Sequence, residues 1–243
     1  MTSRFAPPDA DTLRPQGAFE TAMMRGQALP GGLGYICFRK LKRRIGQRAH
    51  AAFEAALAGL GPGDIVVDLG ANVGDISARL AATGATLHAF EPDPETFGHL
   101  AARLGHLPNV TLHNAAAGGR DGSATLFRPP SWAEEDRRRS ASKANSVAAM
   151  AEARGFVPSG EVPVVDFARF LNGLPDVAQL VKVDIEGAEW ELIEAVMDRA
   201  PDRFRAMFVE THERVDRAVL PLVKRMQARF AAEPAPYVNL YWT

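Results

Sequence analysis

The stretch "IVVDLGANVGDIS", Ile65 to Ser77, decides how this chain is read. Three apolar residues lead into Asp68, and Gly70, Asn72 and Gly74 follow at every second position. An apolar run that meets spaced glycines and then an apolar-polar mixture reads as a buried strand, a tight turn and a helix. Glycines in such a turn take positive φ and let another group lie close to the backbone. The helix beyond them begins with unpaired N–H groups and a partial positive charge.

The same alternation repeats farther along the chain. "ATLHAFEP" is a second strand. "PETFGHLAARLG" is a second helix, with Pro94 suited to its first turn. "NVTLHNAAAG" is a third strand. Strands that alternate with helices at this spacing predict a parallel sheet with right-handed crossovers. Farther on, "QLVKVDIEG", "AMFVETH" and "YVNLYWT" read as strands. "AEWELIEAVMDRA" and "RVDRAVLPLVKRMQARF" read as helices, and Pro221 is expected to kink the second. The fold class is therefore α/β, a doubly wound, mostly parallel sheet with helices on both faces.

The organisation expected is an N-terminal arm and helix over residues 1–60, then one domain over 61–243 with an inserted loop or hairpin at about 118–166. The first residues, rich in proline and acids, read as a poorly ordered arm without a secretory signal. "RKLKRRIGQRAHAAFEAALAGL" carries apolar residues at helical spacing. Within the insert, "GSATLFRP" and "EVPVVDF" are short strands and a short helix lies near Val147 to Arg154. The polar run between the strands is long enough to be a lid or substrate-recognition loop, with Trp132, Lys143, Asn145 and Ser146 as contacts, or else a plainly disordered connection.

Composition narrows the setting. The 243 residues are 47% hydrophobic and 23% charged, and Cys37 is the single cysteine, which excludes an internal disulfide and suits a cytoplasmic location. A net charge of -1 gives no global attraction to nucleic acid or to an anionic membrane, and no apolar run is long enough to span a bilayer. The basic cluster Arg39, Lys40, Lys42, Arg43, Arg44 and Arg48 reads as a solvated helix face. Weak contact with a membrane surface or an acidic substrate is its other use.

Three ligand classes use a glycine turn of this kind. A nucleoside triphosphate requires the lysine and hydroxyl of a P-loop, which are absent. A dinucleotide favours G-x-G-x-x-G, and Asn72 stands where the middle glycine belongs. S-adenosylmethionine has no phosphate; its carboxylate suits a helix N-terminus and its ammonium an acid such as Asp68. Glu91 ends the second strand about 20 residues on, where an acid accepts hydrogen bonds from ribose hydroxyls.

The segments "VVDLGANVGDIS", "AFEPDPETF", "VTLHNAAAG", "VKVDIEGAEWELI" and "FVETH", in this order, resemble the FkbM-type family of S-adenosylmethionine-dependent methyltransferases from about Gly63 to His212. That resemblance implies a seven-stranded class I methyltransferase sheet and methyl transfer to a hydroxyl of a sugar, glycan or small natural product. It implies that Asp68, Gly70, Ala71, Asn72 and Gly74 line the methionine end of S-adenosyl-L-methionine. Glu91 and Pro92 would take the ribose, Asn114 and Ala115 the adenine, and Asp184 would stand near the methyl group. The sheet of that family closes with an antiparallel hairpin, whereas only "YVNLYWT" is left here to close it.

A hydroxyl acceptor must lose a proton, and a positioned base contributes about 10² to 10⁴-fold. Asp184, Glu186 and His212 are the catalytic candidates, with Glu210 beside them; His212 has an ordinary pKa near 6.5. Glu186 is read as the start of a helix. A metal-free site is expected, ahead of Mg²⁺ held by Asp184, Glu210 and His212. His88, His99, His106 and His113 are read as structural or solvent-facing, and Trp190 as core. Two other readings stay open: an NAD-binding oxidoreductase, and a non-catalytic Rossmann-like binding module.

Overall fold

The computed structural model describes residues 5–129, 155–212, 219–233 and 235–242. The main sheet has the order β3-β2-β1-β7-β8-β9. Its strands are β1 (Ile65–Leu69), β2 (Thr86–Phe90), β3 (Val110–His113), β7 (Ala178–Val183), β8 (Phe204–Glu210) and β9 (Tyr237–Trp242), and every pairing is parallel. Burial on both faces explains why β1 and β9 are continuous apolar runs, with Asp68 and Asn239 buried among them. The seven-stranded sheet with an antiparallel edge is therefore corrected to six described strands, closed by a parallel β9 against β8.

Helices α3 (Asp75–Ala82), α4 (Pro94–Leu104), α5 (Phe167–Gly173), α6 (Glu189–Arg199) and α7 (Leu220–Ala232) connect the strands. Pro94 sits in the first turn of α4, whose cap is the Asp93 carboxylate accepting from Glu95 and Thr96 N–H. Pro221 lies in the first turn of α7; residues 213–218, over which the helix was expected to begin ahead of that proline, lie outside the described residues. The apolar residues of α2 (Gly31–Ala58), among them Phe38, Leu41, Ile45 and Phe53, share one core with the sheet. The N-terminal segment is structured as well, with a 3-10 helix at Ala10–Leu13 that buries Leu13 and α1 (Gly17–Gly26).

The third strand read from sequence is two strands. After β3 the chain turns at Asn114 and Ala115, and β4 (Ala116–Gly118) joins β5 (Gly122–Arg128) and β6 (Val157–Asp166) in a separate sheet of order β4-β6-β5. In that sheet β5 and β6 pair antiparallel. The proposed lid contacts Trp132, Lys143, Asn145 and Ser146, and the helix near Val147 to Arg154, lie outside the described residues.

Candidate active site

Both glycines of the opening stretch have positive φ, 74° at Gly70 and 88° at Gly74. What lies against them is the chain itself. A Cβ on Gly70 would run into the carbonyl of Asp184, and one on Gly74 would lie 2.7 Å from Leu100 Cδ1 and 3.1 Å from Leu104 Cδ1 of α4. The first glycine thus lets the end of β7 close on the turn, and the second lets α4 pack on the start of α3. Asn72, between them, is itself left-handed with φ 55°.

Asp68 also differs from its expected role. It is fully buried, its Oδ2 accepts a hydrogen bond from Ser77 Oγ at 2.6 Å, and its Oδ1 faces Lys182 Nζ at 3.1 Å. In this conformation it has no surface for a ligand; it ties the turn to α3 and β7 from beneath. Lys182 completes that tie by donating to the carbonyls of Gly70 at 2.7 Å and Leu69 at 3.2 Å. Burial alone would lower its pKa, but the negative charges of Asp68, Asp184 and Glu91 outweigh this and raise it. Lys182 was missed in the sequence. Its signal was a lysine inside the apolar strand "QLVKVD", which in a sheet buried on both faces needs an acidic neighbour.

Glu91, the residue expected to take a ribose, is 6% exposed. Its Oε2 accepts from Asn72 N–H and its Oε1 from Asp93 N–H, both at 2.9 Å. An ionised carboxylate has about four acceptor sites, so each oxygen retains capacity. Burial raises the pKa of Glu91 to about 7 against the two amide hydrogen bonds, which lower it. Ala71 N–H and Gly70 N–H both donate to Phe90 O, fixing the turn to β2. Asn114, exposed, donates from Nδ2 to the carbonyls of Glu91 at 2.9 Å and Pro92 at 3.2 Å; Ala115 beside it is buried. The Glu91–Pro92 turn and the end of β3 therefore form one rim.

The catalytic candidates meet at the carboxyl ends of β7 and β8. His212 Nε2 lies 3.4 Å from Glu186 Oε2 and 3.8 Å from Asp184 Oδ1. Its Nδ1 is 2.8 Å from Glu189 Oε1, which also accepts from Gly187 N–H at 3.0 Å. Glu189 is fully buried and was not singled out from sequence; its position in the first turn of α6 was the available signal. Glu186 does not begin the helix as expected. It stands in a left-handed turn (φ 53°) with Gly187 (φ 111°), and α6 starts at Glu189. Burial pushes the His212 pKa down, yet the Glu189 hydrogen bond and the charges of Glu189, Glu186 and Asp184 prevail and bring it to about 9. Ligand atoms of Asp184, Glu186 and His212 lie within 4.8 Å of one another, a set that a divalent cation could also bridge; Glu210, half-buried at the end of β8, is not in it.

The other expectations fall on packing. His88 and His113 stack at 5.5 Å within a cluster containing Phe90 and Phe170, and burial together with the His88 charge takes His113 to about 4. Trp190 is buried in the core.

Comparison with known proteins matches the family model "Methyltransferase FkbM domain" over residues 68–230. Among curated relatives, the hexuronic acid methyltransferase AglP of Haloferax volcanii is 28% identical over 153 residues, covering 63% of this chain and 58% of its own length. The 31-O-demethyl-FK506 methyltransferase FkbM of Streptomyces tacrolimicus is 29% identical, covering 63% of this chain and 67% of its own. A solved structure of methyltransferase FkbM from Methylobacillus flagellatus KT aligns with a TM-score of 0.41 and 14% identity over 77% of this chain and 47% of that one. This chain thus spans somewhat more than half the length of AglP and less than half of that solved chain. Because the family model takes in the glycine turn, the Glu91 rim and the His212 cluster together, more than half of the sequence, the chain belongs to the methyltransferase FkbM domain family.

Proposed function

We propose that the protein is an S-adenosyl-L-methionine-dependent O-methyltransferase whose acceptor is a hydroxyl on a sugar, a glycan or a small natural product. The observation that carries this reading is the approach of Asp184 to Gly70, which joins the Glu91–Asn72 rim to the His212 cluster across one strand boundary. The names of the two relatives, one acting on a hexuronic acid and one on 31-O-demethyl-FK506, support a saccharide or a demethylated oxygen as the acceptor class.

S-adenosyl-L-methionine, when bound, supplies a methyl group activated by a sulfonium. The residues present fit it: Glu91 keeps acceptor capacity for a ribose diol, with the turn at Gly70, Ala71, Asn72 and Gly74 and the Pro92, Asn114 and Ala115 rim around it. The chain then has two tasks. It aligns the acceptor, and alignment accounts for about 7 to 11 kcal/mol of a barrier. It also takes the hydroxyl proton, which we assign to His212 Nε2, while the Glu189 carboxylate fixes the ring through Nδ1. Asp184 and Glu186 hold the imidazolium so formed. With a pKa of about 9 the ring is mostly charged near neutral pH, so the base is its neutral minority, and transfer should rise with pH toward that value.

The test is calorimetric titration with S-adenosylhomocysteine and with NAD, followed by transfer of labelled methyl to hexuronic acid and polyol acceptors. Binding of the first ligand alone, with label in the acceptor, is the expected result. Preferential NAD binding would move the protein to the oxidoreductases, and cofactor binding without turnover on any acceptor to the non-catalytic modules. Loss of transfer on chelation, restored by Mg²⁺ or Mn²⁺, would reassign the His212 cluster from a proton to a cation.

A further inference from the structure

The N-terminal helices present a surface that the candidate site does not use. Residues 21–53 contain seven Lys or Arg and no Asp or Glu, in a chain of net charge -1. Two of the seven are consumed internally. Lys42 is buried and donates to Thr211 O at 3.1 Å and Oγ1 at 2.7 Å, and Arg48 forms a double hydrogen bond with Glu20. The other five, Arg25, Arg39, Lys40, Arg43 and Arg44, are exposed, and none forms an ion pair within the described residues.

Apolar side chains are exposed on the same elements: Phe19 49%, Leu29 52%, Leu33 66% and Ile36 50%. Leu33, Ile36, Lys40 and Arg43 follow one another at three- and four-residue steps, so they form one stripe along α2. The Leu29 carbonyl abuts Gly34, which sets Leu29 beside the head of that stripe, and the Arg44 guanidinium lies 5.6 Å from the Phe19 ring centre.

Lys42 also fixes the height of the stripe. Its bond to Thr211 is at the carboxyl end of β8, next to His212, and α2 runs from there back toward the start of β1. The eleven residues ahead of Lys42, about 16 Å of helix, therefore lie toward the side where the candidate site opens. The aliphatic residues are outermost and the cations lie nearer the sheet.

We propose that this stripe docks on an anionic lipid bilayer. Leu29, Leu33 and Ile36 enter the boundary between headgroups and acyl chains, and Arg39, Lys40, Arg43 and Arg44 rest on the phosphates. No helix among the described residues is long and apolar enough to cross the membrane, so the contact is peripheral. A second copy of the chain is a poorer occupant, because a twofold contact would set the same cations against each other. On the methyl-transfer reading, docking turns the site toward the membrane, and the acceptor becomes an amphiphile presented by the bilayer. The docking itself does not depend on that reading.

The experiment is sedimentation of the full chain with vesicles of phosphatidylcholine, alone or mixed with phosphatidylglycerol. The wild type pellets with the anionic vesicles far more than with the neutral ones, and salt releases it. K40A/R43A binds about 25-fold more weakly, from about five-fold per cation. L33S/I36S loses at least about ten-fold, since each exposed aliphatic side chain forfeits its apolar transfer. Both variants keep the wild-type melting temperature, because the four side chains make no core. Absence of pelleting with anionic vesicles, or undiminished pelleting of both variants, overturns the proposal. So does a dimer, abolished by L33S/I36S, in a protein that ignores vesicles. Titration with S-adenosylhomocysteine is a separate readout: docking without it sinks the enzymatic reading, and the reverse sinks the dock.

Discussion

Gly70 and Asp184 are 114 residues apart in sequence and in direct contact: where a side chain on the first would begin, the carbonyl oxygen of the second already stands. The contact is backbone against backbone, so neither partner can yield by rotating a side chain. Gly70 also has φ 74°, a region that costs an L-residue about 1–2 kcal/mol. Gly70→Ala should therefore lower stability by about 3 kcal/mol or more, a fall of about 6–12 °C in melting temperature for a chain of this size. Gly74→Ala should cost less, because the atom it meets is the mobile end of Leu100. A thermal scan of the two variants checks the order, and equal losses would show that Gly70 is merely a turn residue.

Lys182 gives a second stability prediction. Its ammonium is buried among Asp68, Leu69 O and Gly70 O. Removing one member of a buried pair leaves the other charge uncompensated, at a cost of about 3–5 kcal/mol. Lys182→Met should lose that much in urea unfolding, and Asp68→Asn in the same chain should recover part of it, giving a coupling energy of about 1–3 kcal/mol. Additive losses would mean that the two groups do not sense each other.

The elements around these residues were the most legible part of the sequence. Strands β1 and β2 and helices α3 and α4 declare themselves by local periodicity, and the acid of Glu91 by its distance from the turn. The break between β3 and β4 was not legible. Asn114 and Ala115 sit inside "NVTLHNAAAG", where no proline or glycine marks a stop before Gly118, and only the pairing of β4 with β6 separates the two strands. Helix α5 went unread because it is a short helix that directly continues the apolar strand "EVPVVDF". The direction of β9 depends on which strand it meets, and nothing local encodes that. In the candidate site, Asp184, Glu186 and His212 were found by type and position at strand ends. Lys182 and Glu189 were not, since each is a buried charge whose meaning comes from a partner brought by the fold.

On the proposed cofactor assignment, Glu91 would tie affinity to pH. Burial raises its pKa to about 7, so the carboxylate that would accept from a ribose diol forms only as pH passes that value. Affinity for S-adenosylhomocysteine should rise about ten-fold from pH 6 to pH 8, the change in the ionised fraction across a pKa of about 7. For stability the sign is opposite. A folded pKa raised above the unfolded one stabilises below the unfolded value, near 4.5, and that contribution is lost as pH rises through about 7. Glu91→Gln should weaken the ligand and abolish the slope. Calorimetry at the two pH values decides the point, and a slope that persists in the variant would assign it elsewhere.

His212 and Glu189 form the last testable pair. The imidazole is held by the Glu189 carboxylate at 2.8 Å and by the fields of Glu186 and Asp184. Its pKa of about 9 exceeds the unfolded value near 6.5, so the charged ring stabilises the fold fully below about pH 6.5, and that stabilisation, about 3 kcal/mol, is lost as pH rises through about 9. Glu189→Gln removes the largest of the raising influences and leaves burial, which pushes the other way. The NMR titration of His212 should then move toward neutral pH, and urea unfolding should lose its fall between pH 7 and 9. Glu189 touches neither acceptor nor cofactor in this assignment; it is a positioning residue. Its removal should displace the pH-rate profile for methyl transfer in the same direction as the NMR midpoint, with KM for the acceptor little changed. An unmoved midpoint in the variant would show that the proton on His212 is held by the other two acids and that Glu189 only fills space beneath the ring.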